Sequence, residues 1–103
     1  MAGINDEIER ALHAVSQDPD DAHAMQELGY LYIIAGDEDT SLGWLGRAVD
    51  AFERRGNWSK ALRVQNRITA ILPRCRGRSA ADLAAAQSRL TALEGRVAAQ
   101  KPR

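Results

Sequence analysis

The chain has 103 residues, with 14 Lys and Arg balancing 14 Asp and Glu; that length suits one domain, and the neutral total argues against an electrostatically driven nucleic-acid binder. Alanine, leucine and arginine are abundant while β-branched and aromatic residues are scarce, so the expected class is all-α. No stretch approaches the ~20 apolar residues that span a bilayer, and the polar start at Ile4-Asn5-Asp6-Glu7 has no apolar signal core; a cytoplasmic protein without cofactors is expected.

Periodicity and punctuation predict five helices. The first runs from about Asp6 to Gln17, with Ile8, Ala11, Leu12 and Val15 on one face and Asp6, Glu7 and Glu9 at the positive end of the helix dipole. The second opens at Asp18-Pro19, lines Met25, Leu28, Tyr32 and Ala35 into a stripe, and stops at Gly36. The third spans about Asp39 to Arg55, turning Leu42, Leu45, Ala48, Val49 and Phe52 inward, and Gly56-Asn57 closes it. The fourth covers about Trp58 to Leu72, with Ala61, Val64, Ile68, Ile71 and Leu72 as its apolar side and Pro73 as its stop. The basic linker 74–78 follows. The last helix, 79–98, opens on the capping-box-like Ser79-Ala80-Ala81-Asp82 and carries Leu83, Ala86, Leu90, Leu93 and Val97. Residues 99–103 are expected to fray, and residues 1–73 to form the core.

The segment Leu28-Gly29-Tyr30-Leu31-Tyr32, continued by Ala35-Gly36-Asp37, resembles the first helix of a tetratricopeptide repeat. With Ala22 as position one, Leu28, Gly29 and Tyr32 fall where that family has Leu, Gly and Tyr, and Leu45 and Ala48 match its second-helix positions. At the glycine, the missing side chain allows the following helix to come close. A second frame from Leu42 places Phe52 at the Tyr position, Gly56-Asn57-Trp58 at the turn, Ala61 at the small contact and Pro73 at the close, whereas Ala48, Val49 and Gln65 depart from the pattern. The frames start 20 residues apart, so the third helix must serve both units. The resemblance, over residues 7–73, implies antiparallel hairpins stacked as a short right-handed solenoid, of a small bacterial type.

It also implies a ligand against the inner face, at His23, Gln26, Glu27, Tyr30, Ile33 and Ile34 in the first frame and Gly43, Gly46, Arg47, Asp50, Glu53 and Arg54 in the second. Tyr30, Ile33 and Ile34 lie off the Met25-Leu28-Tyr32-Ala35 stripe and are the expected anchors, with Gln26, Glu27, Arg47 and Asp50 giving polar registration. A terminal helix folded over them would make them core instead. Gly43 and Gly46 each cost a helix roughly 1 kcal/mol relative to Ala, which close helix packing or a ligand backbone would explain. The Lys and Asn pattern of the carboxylate-clamp receptors is absent.

His13 and His23 lack a second His or Cys at ligand spacing, so no metal set is read, and no Ser-His-Asp arrangement, phosphate loop or paired catalytic carboxylates emerges. The expectation is a non-enzyme that binds another protein. Cys75 sits between Arg74 and Arg76, which would favour thiolate on an exposed loop. Arg63, Arg67, Arg74, Arg76 and Arg78 form a basic patch without interleaved aromatics, a better match to an acidic protein surface than to nucleic acid. Residues 1–40 carry ten acidic groups against Arg10 alone, and residues 41–103 carry thirteen basic groups against four acidic ones. That division gives a second reading, self-assembly through opposite ends or through the last helix.

Overall fold

The computed structural model describes residues 3–75 and 77–100, and among these the chain is all-α. It contains α1 (Ile4–Gln17), α2 (Ala22–Ile34), α3 (Glu38–Arg54), α4 (Trp58–Ile71) and α5 (Ala80–Gln100), with a 3₁₀ turn at Leu72–Arg74. None of these helices is long and apolar enough to cross a membrane.

Local chemistry sets the boundaries. Asp18, Pro19 and Asp20 form a turn instead of opening α2, because the Asp18 carboxylate accepts the Asp20 amide at 3.0 Å and Asp21 then caps the helix through Ala24 N–H. Gly36 and Gly56 make one corner twice, with φ of +85° and +70°. In each, the next residue donates its amide to a carbonyl five residues back, Asp37 to Tyr32 and Asn57 to Phe52, both at 2.9 Å. Asp37 and Asn57 then cap α3 and α4 through Thr40 N–H and Lys60 N–H. At the start of α5, Asp82 accepts from Ser79 N–H at 2.9 Å and returns its own amide to the Ser79 hydroxyl at 3.2 Å, a reciprocal cap. Ala99 and Gln100 continue that helix where fraying is expected; residues 101–103 lie outside the described residues.

Each helix packs chiefly on its chain neighbours. His23 meets Phe52 while Gly29 meets Leu45, so α2 and α3 run antiparallel. The shortest extent of the molecule is 20 Å, the thickness of two helices. Contacts sort the last four helices into two layers. Lys60 Nζ lies 3.2 Å from His23 Nε2, 37 residues away, and Arg67 lies over Tyr30 at the same separation, which places α4 parallel to α2. On the other side Arg89 of α5 holds Asp50 and Glu53 of α3 at 2.5 and 2.6 Å.

The core takes Leu42, Leu45, Ala48, Val49 and Phe52 from α3 and Ala61, Val64, Ile68 and Ile71 from α4, as their spacing predicts. Three departures have physical causes. In α2, Ala22, Ala24 and Leu31 are buried beside Met25 and Leu28, whereas Tyr32 is half-buried and Ala35 exposed, because α2 lies between α1 and α3 and buries two sides. Leu12 turns partly outward from α1. Of the α5 seam only Ala86 and Leu93 are buried; α5 packs chiefly on α4, so Leu90 and Val97 are half-exposed and Leu83 is exposed.

Gly29 explains the closeness of α2 and α3. A β-carbon there would stand 2.3 Å from Leu45 Cδ2, and the Ser41 hydroxyl donates to the Gly29 carbonyl at 2.6 Å. Gly43 and Gly46 have no such reason. A β-carbon at either meets nothing within 4 Å, so close helix packing is excluded as their role. Gly43→Ala with Gly46→Ala is therefore expected to stabilise the fold by about 1–2 kcal/mol, read as a higher urea midpoint with an unchanged slope.

Candidate functional site

The α2 residues His23, Gln26, Glu27, Tyr30 and Ile34 recur at helical spacing and share one side of α2. His23 and Glu27 are exposed, Gln26, Tyr30 and Ile33 are half-buried, and Ile34 is 73 % exposed. Gln26 Nε2 donates to the Tyr30 hydroxyl at 3.0 Å, fixing the phenol at the rim. The Arg67 guanidinium sits 5.5 Å from the centre of the Tyr30 ring. A shallow groove of about 360 Å³ opens there, lined by Tyr30 with Arg63, Asn66, Arg67 and Ala70. Among the described residues no terminal helix covers Ile34.

Arg47 and Asp50 do not join this face. Asp50 is held by Arg89 of α5, and Arg47 lies 4.4 Å over Trp44, with both residues lining a separate cleft beside Pro19. The reason is the antiparallel turn at Gly36, which sends α3 into the other layer, so the face begun on α2 continues on α4 and not on α3. Arg63, Asn66, Arg67 and Ala70 thus belong to the α2 face, an assignment missing from the sequence reading. Placing alternate helices side by side would have found them.

The same layering divides the expected basic patch. Arg63 and Arg67 face Tyr30, whereas Arg74 and Arg78 lie near the start of α3, 3.6 Å from Glu38 and 3.5 Å from Asp39. Arg76 lies outside the described residues. Glu53 pairs with Arg89 and Arg54 with Asp20. Burial works against the charge on Arg89, but hydrogen bonds and attraction from Asp50 and Glu53 outweigh it and hold the guanidinium protonated above its ordinary range.

Between α3 and α5 lies a second groove of about 390 Å³, which Gly43 and Gly46 line along one wall. Gln65, only 2 % exposed, donates its side-chain amide to the Ala86 carbonyl at 3.2 Å and ties α5 to α4 there. Trp44 and Trp58 are half-buried, the second covered by Arg96 at 4.9 Å.

Cys75 is not poised as a thiolate. It is half-buried, with Glu38 Oε2 at 4.0 Å. Burial first, then the Asp39 and Glu38 carboxylates, push the thiol above its ordinary value against the opposing pull of Arg78 and Arg74. The sequence neighbours of Cys75 are basic, but its neighbours across the fold are acidic.

No group of three or more His, Cys, Asp or Glu side chains among the described residues is arranged to hold a metal ion. In comparisons with known proteins, no family model matches the chain and no curated protein matches it.

Proposed function

We propose that the chain is a non-catalytic protein-binding module, a cytoplasmic adaptor similar in plan to tetratricopeptide-repeat proteins, which holds a partner segment on the α2–α4 face. The observation that carries this reading is the pair Tyr30 and Ile34, one turn apart on α2, with Tyr30 lining a groove and Ile34 left 73 % exposed. An aliphatic side chain so exposed next to a half-buried aromatic gives up water contact when covered, at about 25 cal/mol per Å² of apolar surface. Supporting the likeness to a helical repeat are the Gly29–Leu45 approach, the duplicated corner at Gly36 and Gly56, and packing of each helix on its chain neighbours.

Self-assembly through opposite ends has less to work with than the charge division of the sequence implies. Arg74, Arg78 and Arg89 spend their charge inside the molecule on Glu38, Asp39, Asp50 and Glu53.

Tyr30→Arg with Ile34→Asp replaces two surface anchors and is expected to leave helicity and the urea midpoint nearly unchanged. Capture from a cell extract should then lose a protein that the unaltered chain retains. Retention of an identical set of proteins by the folded double variant would sink the assignment of this face.

A further inference from the structure

We infer that the occupant of the α2–α4 face is an acidic segment of another protein, its carboxylates on α4 and a large apolar side chain on Tyr30 and Ile34. The inference rests on the docking reading above and adds the partner's chemistry.

Its basis is a row of three cations on α4 without an ion-pair partner among the described residues, beside three paired cations on the α3–α5 side, where Arg47 and Arg96 lie over Trp44 and Trp58 instead. On the α3–α5 side Arg74, Arg78 and Arg89 each lie within 3.6 Å of a carboxylate. On the α2–α4 side Lys60, Arg63 and Arg67 follow one another along α4, and among the described residues none has a carboxylate within 4.0 Å. Lys60 has the His23 ring nitrogen beside it and the Phe52 ring at 5.9 Å, and Arg67 has the Tyr30 ring. The groove is therefore rich in donors. The Tyr30 hydroxyl already accepts from Gln26, so its own proton is available to an incoming acceptor, alongside two guanidinium forks and the Asn66 amide. Arginine forks match carboxylates in geometry and charge, and beside an apolar anchor such pairs gain from partial desolvation.

Length favours protein over nucleic acid. From Lys60 to Arg67 the row covers about 10 Å of helix, enough for two or three carboxylates but short for a phosphate backbone that needs a longer track. Glu27 stands on the α2 edge of the face, so a polyanion laid across both helices would meet repulsion. A peptide with acids on one side and an apolar residue on the other would not.

The test is selection of short random peptides on the immobilised full chain. It is run in parallel on Arg63→Glu with Arg67→Glu and on Tyr30→Arg with Ile34→Asp, followed by binding of one enriched peptide at low and high salt. Acidic peptides carrying a large apolar residue should be enriched on the unaltered chain and lost on both variants. The charge reversal should weaken the chosen peptide about tenfold or more, and salt should weaken it too. Enriched peptides that need Tyr30 and Ile34 but show no acidic bias and ignore the charge reversal would overturn the acidic occupant while leaving the docking face standing. Tighter, Arg63- and Arg67-dependent binding of a single-stranded oligonucleotide would overturn it in favour of nucleic acid. Absence of any Tyr30-dependent enrichment would overturn both readings. Unchanged circular dichroism of the exposed-site variants keeps misfolding from imitating these outcomes.

Discussion

Gly29→Val is expected to lower the stability of the fold by about 3 kcal/mol, at the upper end of what overpacking a filled core costs. The β-carbon alone would sit 2.3 Å from Leu45 Cδ2 and 2.5 Å from Cγ. Leu45 is fully buried at 0 % exposure, so it has no solvent-filled space to swing into, and α2 and α3 must separate. That separation also stretches the hydrogen bond from Ser41 to the Gly29 carbonyl. Gly29→Ala makes a cleaner measurement, because helix propensity gains about 1 kcal/mol while the clash costs about 1–3 kcal/mol, leaving a net loss. The sign should reverse in a Leu45→Ala background. There the truncation costs about 2–5 kcal/mol by itself, but the vacated space accepts the new methyl group, so Gly29→Ala becomes neutral or stabilising. Urea unfolding of the four members of this cycle checks it. A loss of equal size in both backgrounds would mean that the added methyl group is opposed by something other than contact with the Leu45 side chain.

The same residue shows what the sequence could carry. Gly29 lies between Leu28 and Tyr30 at helical register, and the requirement for a close neighbour follows from its missing side chain; that the neighbour is Leu45 follows once α3 is laid antiparallel across it. The caps at Ser79 and the corners at Gly36 and Gly56 were legible for the same reason, since each is made by residues within five positions of one another. Legibility ended where α4 meets α2 and α5 meets α3. A contact across 37 residues, such as Lys60 with His23, depends on which layer each helix enters, and periodicity within one helix carries no record of that. Hence the sequence places Asp50 beside the α2 face although Arg89 of α5 holds it in the other layer, and Cys75 among cations although Glu38 lies against it. Ile34 is exposed as its position off the Met25-Leu28-Tyr32-Ala35 stripe implies, whereas Tyr30 is half-buried beside Arg67 of α4.

Gln65→Glu changes almost no volume and should nevertheless destabilise the protein by about 3 kcal/mol at neutral pH, the cost of either burying an unpaired charge or keeping the acid protonated. Gln65 is 2 % exposed and gives its amide hydrogen to the Ala86 carbonyl at 3.2 Å. A carboxylate there is stripped of water and faces a carbonyl oxygen with no proton to offer. The protonated acid can donate, so the folded state raises the pKa of Glu at this position above the unfolded value of about 4.3. The sign follows from proton binding. Below about pH 4 both states are protonated and the variant approaches the unaltered protein. As pH climbs from there toward the raised folded pKa, the unfolded state ionises first, and the penalty grows by about 1.4 kcal/mol per pH unit until it levels off. The unaltered chain has carboxylates that act in the opposite sense. Hydrogen bonds from Thr40 hold Asp37 below its ordinary value, and those from Ser79 do the same for Asp82, so both caps favour folding above the unfolded carboxylate pKa and are lost as pH falls through the lowered ones. The measurement is accordingly a difference: urea midpoints of Gln65→Glu and of the unaltered chain across the acid range, with Gln65→Leu as a neutral control. A gap that widens with rising pH for Glu, beside a flat gap of about 1 kcal/mol for Leu, would locate the cost in the buried charge between α4 and α5. A pH-independent gap for Glu would mean that α5 lifts away from α4 and lets water reach the carboxylate.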